Sequence, residues 1–130
     1  MRGFAHSGRP GTIPELLTHG ATVGFSRAFA EFLDEFYDHP DPRALEVPPD
    51  DVGPEMVAFL AAMAEALAES MGWAVPRWTR LAVVSPPVVW EVFTGALPDA
   101  PRIREILTKQ AHPTFRRHGI LVRGSVLARC

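Results

Sequence analysis

The densest run of chemically capable side chains is Phe115-Arg116-Arg117-His118, with Arg102, Arg104, Lys109, Arg123 and Arg129 close by in the chain. A guanidinium presents a planar fork of donors that can grip a carboxylate or a phosphate through two bonds at once. Basic side chains interleaved with an aromatic also suit a nucleic-acid backbone. Three roles are therefore open to Arg116 and Arg117: pairing with the chain's own acids, contact with a protein partner, or contact with a nucleic acid. The charge distribution sharpens the question. From Glu15 to Glu69 there are twelve acidic side chains against Arg27 and Arg43, and from Arg102 to Arg129 seven basic ones against Glu105 alone. Poles of this kind engage each other or a charged partner. The net charge of −2 ranks a free nucleic-acid binder behind a protein-binding one.

Other residue types point away from catalysis. The five histidines, His6, His19, His39, His112 and His118, are scattered over loops and helix ends. With no His-Glu-x-x-His pattern and no cysteine pair, no metal site is expected. There is no glycine-rich phosphate loop and no Gly-x-Gly-x-x-Gly, so no cofactor is expected either. Cys130, the single cysteine, has no internal disulfide partner, which fits a reducing compartment, and a terminal thiol is poorly placed as a nucleophile. Asp34 and Asp38 share a helix face and could form a carboxylate dyad. Beside a phenylalanine stripe they read instead as a solvated acidic face that a partner could contact. Of Trp73, Trp78 and Trp90, all near proline-broken segments, Trp78 has the most polar neighbours (Arg77, Thr79, Arg80) and is the expected exposed anchor. The expectation is a binding protein, not an enzyme, whose contact residues are Trp78, Phe115, Arg116, Arg117, Asp34 and Asp38.

These residues need a scaffold, and the sequence predicts an all-α one. At 130 residues, with 47% apolar and 22% charged side chains, the chain suits a single domain with an adequate core. Residues 1–11 are too polar and glycine-rich for a signal peptide and are expected to form a flexible arm before a helical domain over 12–130. No apolar stretch is long enough to span a bilayer, so no membrane partner and a cytoplasmic location are expected. Thr12, Pro14 and Glu15 announce a short helix, with Gly20 as its stop. Phe25, Phe29, Phe32, Leu33, Phe36 and Tyr37 recur at helical spacing until His39-Pro40 ends the run. Pro54 opens an alanine-rich helix that Gly72 closes. Further on, a short helix is expected from Ser85 through Phe93. Another, capped by Asp99, would carry Ile103, Ile106 and Leu107 inward, and a single turn over 112–119 would be closed by Gly119. Leu81–Val84 is ambiguous between helical turn and strand. The whole is a compact bundle of about five helices with short C-terminal helical turns and at most one short extended segment, at Ile120-Leu121-Val122.

The segments Gly72-Trp73-Ala74-Val75-Pro76-Arg77-Trp78 and Pro113-Thr114-Phe115-Arg116-Arg117-His118-Gly119-Ile120, together with the alanine-rich run Phe59–Ala68, resemble a poorly characterised bacterial family. Its marks are a Gly-x-x-Val-Pro-x-Trp segment and a closing Pro-x-Phe-Arg-Arg-x-Gly-Ile segment. Members are often encoded beside nucleotidyltransferase-like toxins. The resemblance implies an antitoxin-like protein that docks on and neutralises or regulates a cognate enzyme, with the acidic stretch from Asp34 to Asp51 facing a basic cleft and Trp78 or Phe115 anchoring the contact. The alternative is a nucleic-acid-binding accessory protein that uses the basic C-terminal segment.

Overall fold

The computed structural model describes residues 8–91, 95–96 and 101–128. It is mostly helical, with five α-helices. In α1 (Ile13–Val23) the Thr12 hydroxyl accepts the Glu15 N–H at 3.2 Å, while the Glu15 carboxylate reaches back to the Gly11 N–H at 2.8 Å. The helix does not stop at Gly20, as expected, but runs on to Val23 and ends at Gly24, where φ is +96°. At Gly20 a Cβ would stand 3.4 Å from Phe25 Cα of the next helix, an ordinary contact. That helix, α2 (Phe25–Asp38), buries Ala28, Phe29, Phe32, Leu33 and Phe36 and ends at His39, before Pro40. A 3₁₀ turn (Pro42–Leu45) then leads toward α3 (Pro54–Met71).

Helix α3 is the axis of the molecule. Every residue from Ala58 to Ala68 is buried except Glu65, because alanines at the interstices let neighbours close in from several sides. Gly72 takes the left-handed cap, φ +73°, as its position predicts. Phe59 lies at the centre of an aromatic cluster, 5.8 Å from Phe25, 5.4 Å from Phe29, 4.8 Å from Trp90 and 5.2 Å from Phe115, measured between ring centroids.

Past α3 the chain departs from its expected course in one segment. Leu81–Val84 has no regular structure, and the described part of the helix expected from Ser85 to Phe93 holds a strand, β1 (Val88–Glu91), while Phe93 lies outside the described residues. The pattern misleads because Trp90 and Phe93 mimic helical spacing. Pro86 and Pro87 would be tolerated in a first helical turn, but the β-branched pair Val88-Val89 meets a ready strand partner instead. That partner is β3 (Ile120–Leu121), which pairs parallel with β1, Val88 opposite Ile120. On the other edge β2 (Gly95–Ala96) pairs antiparallel, which gives the order β2-β1-β3.

Helix α4 (Pro101–Gln110) forms where predicted, although its expected cap, Asp99, lies outside the described residues. Its expected orientation does not hold. No α4 side chain is buried, and Ile103 and Ile106 remain 47% and 46% exposed. Of its apolar residues only Leu107 is half-covered, against the small cluster of Val89, Ala111 and Leu121. Helix α5 (Pro113–Arg117) is the expected single turn, closed by Gly119 at φ +81°. A Cβ at Gly119 would collide with the Val84 carbonyl, so only glycine allows the strand to pass. Residues 1–7 of the expected arm lie outside the described residues. The rest of it, Gly8–Gly11, is tied to α2, where Arg9 donates to Asp38 at 2.9 Å. Among the described residues no helix is long and apolar enough to cross a membrane.

Candidate functional site

The densest polar cluster is built on Glu65, the one interruption in the buried face of α3. His118 is 3% exposed and bridges two acceptors: its Nδ1 lies 2.7 Å from the Ala82 carbonyl and its Nε2 lies 2.6 Å from a Glu65 carboxylate oxygen. With an oxygen acceptor before each ring nitrogen, both are placed to donate. The other Glu65 oxygen accepts from Arg117 at 2.6 Å, and Arg117 leans toward Glu69 at 3.5 Å. Thr114 Oγ1 donates to the same Glu69 at 3.4 Å. Burial works against ionisation of Glu65, but the bonds from His118 and Arg117 outweigh it and hold the carboxyl below its ordinary range. His112 is lowered by its own burial first and by the Arg117 charge second. The cluster joins three otherwise separate pieces of chain: α3, the loop through Ala82, and α5. Its geometry is that of a clamp, because both Glu65 oxygens and both His118 ring nitrogens already have partners within the fold. Among the described residues no group of three or more histidine, cysteine or acidic side chains could hold a metal ion.

The residues singled out by sequence separate into distinct places. Arg117 joins the two charge poles through Glu65, whereas Arg116 is exposed and donates to the Thr108 carbonyl at 2.8 Å. Phe115 is fully buried against Phe59, so it anchors α5 to the core and presents nothing to a partner. Trp78 is half-buried rather than projecting, its indole N–H donating to the Leu45 carbonyl at 2.9 Å. Asp34 and Asp38 come together around Arg9: Asp38 accepts its hydrogen bond, and Glu35 and Asp34 add to the negative field that raises the guanidinium pKa. The structure therefore brings Arg117 to the acidic helix and leaves Trp78, Arg116 and the Asp34–Asp38 pair on separate features.

A different surface stands open. Between α2, β1, α4 and the turn after β3 lies a cleft of about 650 Å³. Ser26, Phe29, Ala30 and Leu33 of α2 form one wall, and Ile103 and Ile106 of α4 form the other. Trp90 closes the base, 5% exposed and stacked on Phe59, with an indole N–H that finds no partner. On the rim Arg123 faces Glu91 at 3.8 Å. The signal for this surface was present in the apolar stripe of α4, but periodicity says only that a face is apolar and not what covers it. No protein-family model, no curated protein and no solved structure matches this chain.

Proposed function

We propose that this chain acts by binding another protein, which covers the apolar face of α4 and the cleft beside it. The observation that carries this is the pair Ile103 and Ile106, each about half exposed on a helix that buries none of its side chains, next to an open apolar cleft. Contiguous exposed apolar surface of this kind, rimmed by polar residues, marks an interaction site. The acid–base chemistry available in the Glu65–His118–Arg117 cluster is spent on joining segments, which favours a binding role over an enzymatic one. The resemblance of the Gly72–Trp78 and Pro113–Ile120 segments further suggests the partner: a nucleotidyltransferase-type enzyme, neutralised or regulated by an antitoxin-like protein in the cytoplasm.

The test is co-expression with the product of the adjacent gene, which this proposal expects to be such an enzyme. Wild-type protein should co-purify with that enzyme and suppress its activity, and the double variant Ile103→Glu/Ile106→Glu should do neither while remaining folded. An enzyme that ignores the wild-type chain, or binds both forms equally, overturns the proposal. A second reading is favoured by the exposure of Arg102, Lys109 and Arg116: nucleic-acid binding by the C-terminal segment. It predicts an affinity that falls steeply and log-linearly with salt.

A further inference from the structure

We infer that His118 is a proton-operated latch on the loop of residues 80–83: the charged ring ties the loop to the body of the fold, and loss of one ring proton lets it go. The first ground is the hydrogen-bond inventory around the ring. A backbone carbonyl can only accept, so the 2.7 Å contact between Nδ1 and the Ala82 carbonyl needs a proton on Nδ1. An ionised carboxylate can only accept, so the 2.6 Å contact between Nε2 and Glu65 needs a proton on Nε2. Burial opposes ionisation of Glu65, but the bonds from His118 and Arg117 prevail and hold its carboxyl below the ordinary range. Both ring protons are therefore in use, and the ring that fits this arrangement is an imidazolium.

The second ground is what the neighbouring charges dictate when one proton leaves. Helix α3 contributes Glu65, on the ring itself, and Glu69, which accepts from Arg117 at 3.5 Å. From α5, Arg117 holds the second Glu65 oxygen at 2.6 Å, and Arg116 is turned to the Thr108 carbonyl. His112 precedes that helix and accepts the Thr114 N–H. Strand β3 carries no ionisable side chain, and Arg80, the one charge of the loop, is exposed. Because Arg117 keeps Glu65 ionised, the neutral ring retains the proton that faces the carboxylate, a charge-assisted bond roughly twice as strong as one to a carbonyl. The proton leaves from Nδ1. A nitrogen lone pair then faces the Ala82 carbonyl oxygen, a repulsive pairing in a place where the ring is only 3% exposed and water does not intervene.

The third ground is how lightly the loop is otherwise held. Its ends are fixed. Thr79 is fully buried with its hydroxyl on the Pro76 carbonyl at 2.9 Å, and the Val84 N–H donates to the His118 carbonyl at 3.0 Å. Between these points the backbone bonds are local, from Ala82 to Thr79 and from Val83 to Leu81. Leu81 and Val83 are 94% and 56% exposed. Among the described residues the Nδ1 contact is the hydrogen bond that ties the middle of this loop to the rest of the fold, and its release frees an exposed apolar pair to move between hinges at Thr79 and Val84.

The test is an NMR titration of the full chain from about pH 5 to about pH 9, a span that brackets the ordinary imidazole value. Long-range nitrogen–proton spectra should show the His118 ring protonated at both nitrogens in acid and at Nε2 alone in base. Backbone order parameters of residues 80–83 should fall with the same midpoint, from the rigid range of about 0.85 to below about 0.6, while those of α3 stay unchanged. Two variants separate the two bonds of the ring. His118→Asn, whose amide replaces the Nδ1 donor, should hold the loop at every pH. His118→Gln, whose amide replaces the Nε2 donor, should leave it loose at every pH. A ring that keeps its charge throughout, a neutral ring protonated at Nδ1, or order parameters that do not follow the ring overturns the inference. So does either variant if its loop still responds to pH as the wild type does. Should a variant fail to fold, the wild-type titration alone decides. None of these outcomes depends on what the chain binds.

Discussion

Glu65→Ala is the substitution whose cost follows most directly from the structure. The side chain accepts from His118 at 2.6 Å and from Arg117 at 2.6 Å, and the two donors are very unequal in exposure, with side chains 4% and 54% accessible. Arg117 can turn to water when the carboxylate goes, so its bond contributes little to the loss. His118 cannot, and its Nε2 is left facing an apolar void. Removing one member of a buried pair costs about 3–5 kcal/mol, and with only one buried donor stranded the expectation is the lower end, about 3 kcal/mol. In urea denaturation the midpoint should fall with an unchanged slope. In thermal melts the shift should be about 12 °C, at roughly 4 °C per kcal/mol for a domain of this size. Acid provides the second readout. The folded carboxyl is held below its ordinary value of 4.5, so in wild type the unfolded state binds the proton first. The stabilisation is complete above that value and is lost as pH falls through the lower, folded one, and Glu65→Ala should flatten this limb of the stability curve. Combined with His118→Phe, the two losses should fail to add. A Glu65→Ala protein within about 0.5 kcal/mol of wild type, or one with the wild-type acid limb intact, would refute the account of the clamp.

Gly119→Ala should cost more than about 2 kcal/mol, from a left-handed backbone and a collision with the Val84 carbonyl, read as a lowered melting temperature. Phe59→Ala, at the centre of the aromatic cluster, should cost about 4 kcal/mol in chemical denaturation. Ile103→Ser and Ile106→Ser should each change stability by less than about 0.5 kcal/mol, since α4 buries no side chain, and a larger loss would place these residues in the core. Thr12→Ala should cost about 1 kcal/mol through the lost cap of α1, and melts of the two proteins would measure it.

Local signals were readable wherever a residue acts on its own neighbours. Thr12, Pro54, Gly72 and Gly119 mark their element boundaries by steric and hydrogen-bonding rules that need no tertiary partner, and the phenylalanine stripe of α2 lies where its spacing puts it. Gly20 misled because a glycine ends a helix only where the chain takes a left-handed turn: α1 runs through it and stops at Gly24, where φ is +96°. Val88–Glu91 became a strand because Ile120–Leu121, some thirty residues later, offers a ladder, and pairing across that distance leaves no local trace. At the candidate site the same division holds. The Arg116-Arg117 question turned on which of two exposed neighbours reaches across to α3, and Glu65, the acid that answers it, looked like any charge on an alanine-rich helix. The apolar stripe of α4 was legible in full, but whether the bundle or solvent receives it is a fact of assembly.

Between β1 and β3 the chain leaves the core, makes α4 and returns, and the parallel pairing of Val88 with Ile120 seals the fold beneath that excursion. On the contact surface proposed above, folding and recognition would therefore place their demands on different residues. Substitutions along the outer face of α4 are nearly free of stability cost, while those in α3 or at Gly119 are not. Were this surface the contact face proposed above, selection on it could act one residue at a time, with no compensating repair elsewhere in the chain. A fold arranged in this way can keep its interior fixed while its specificity drifts.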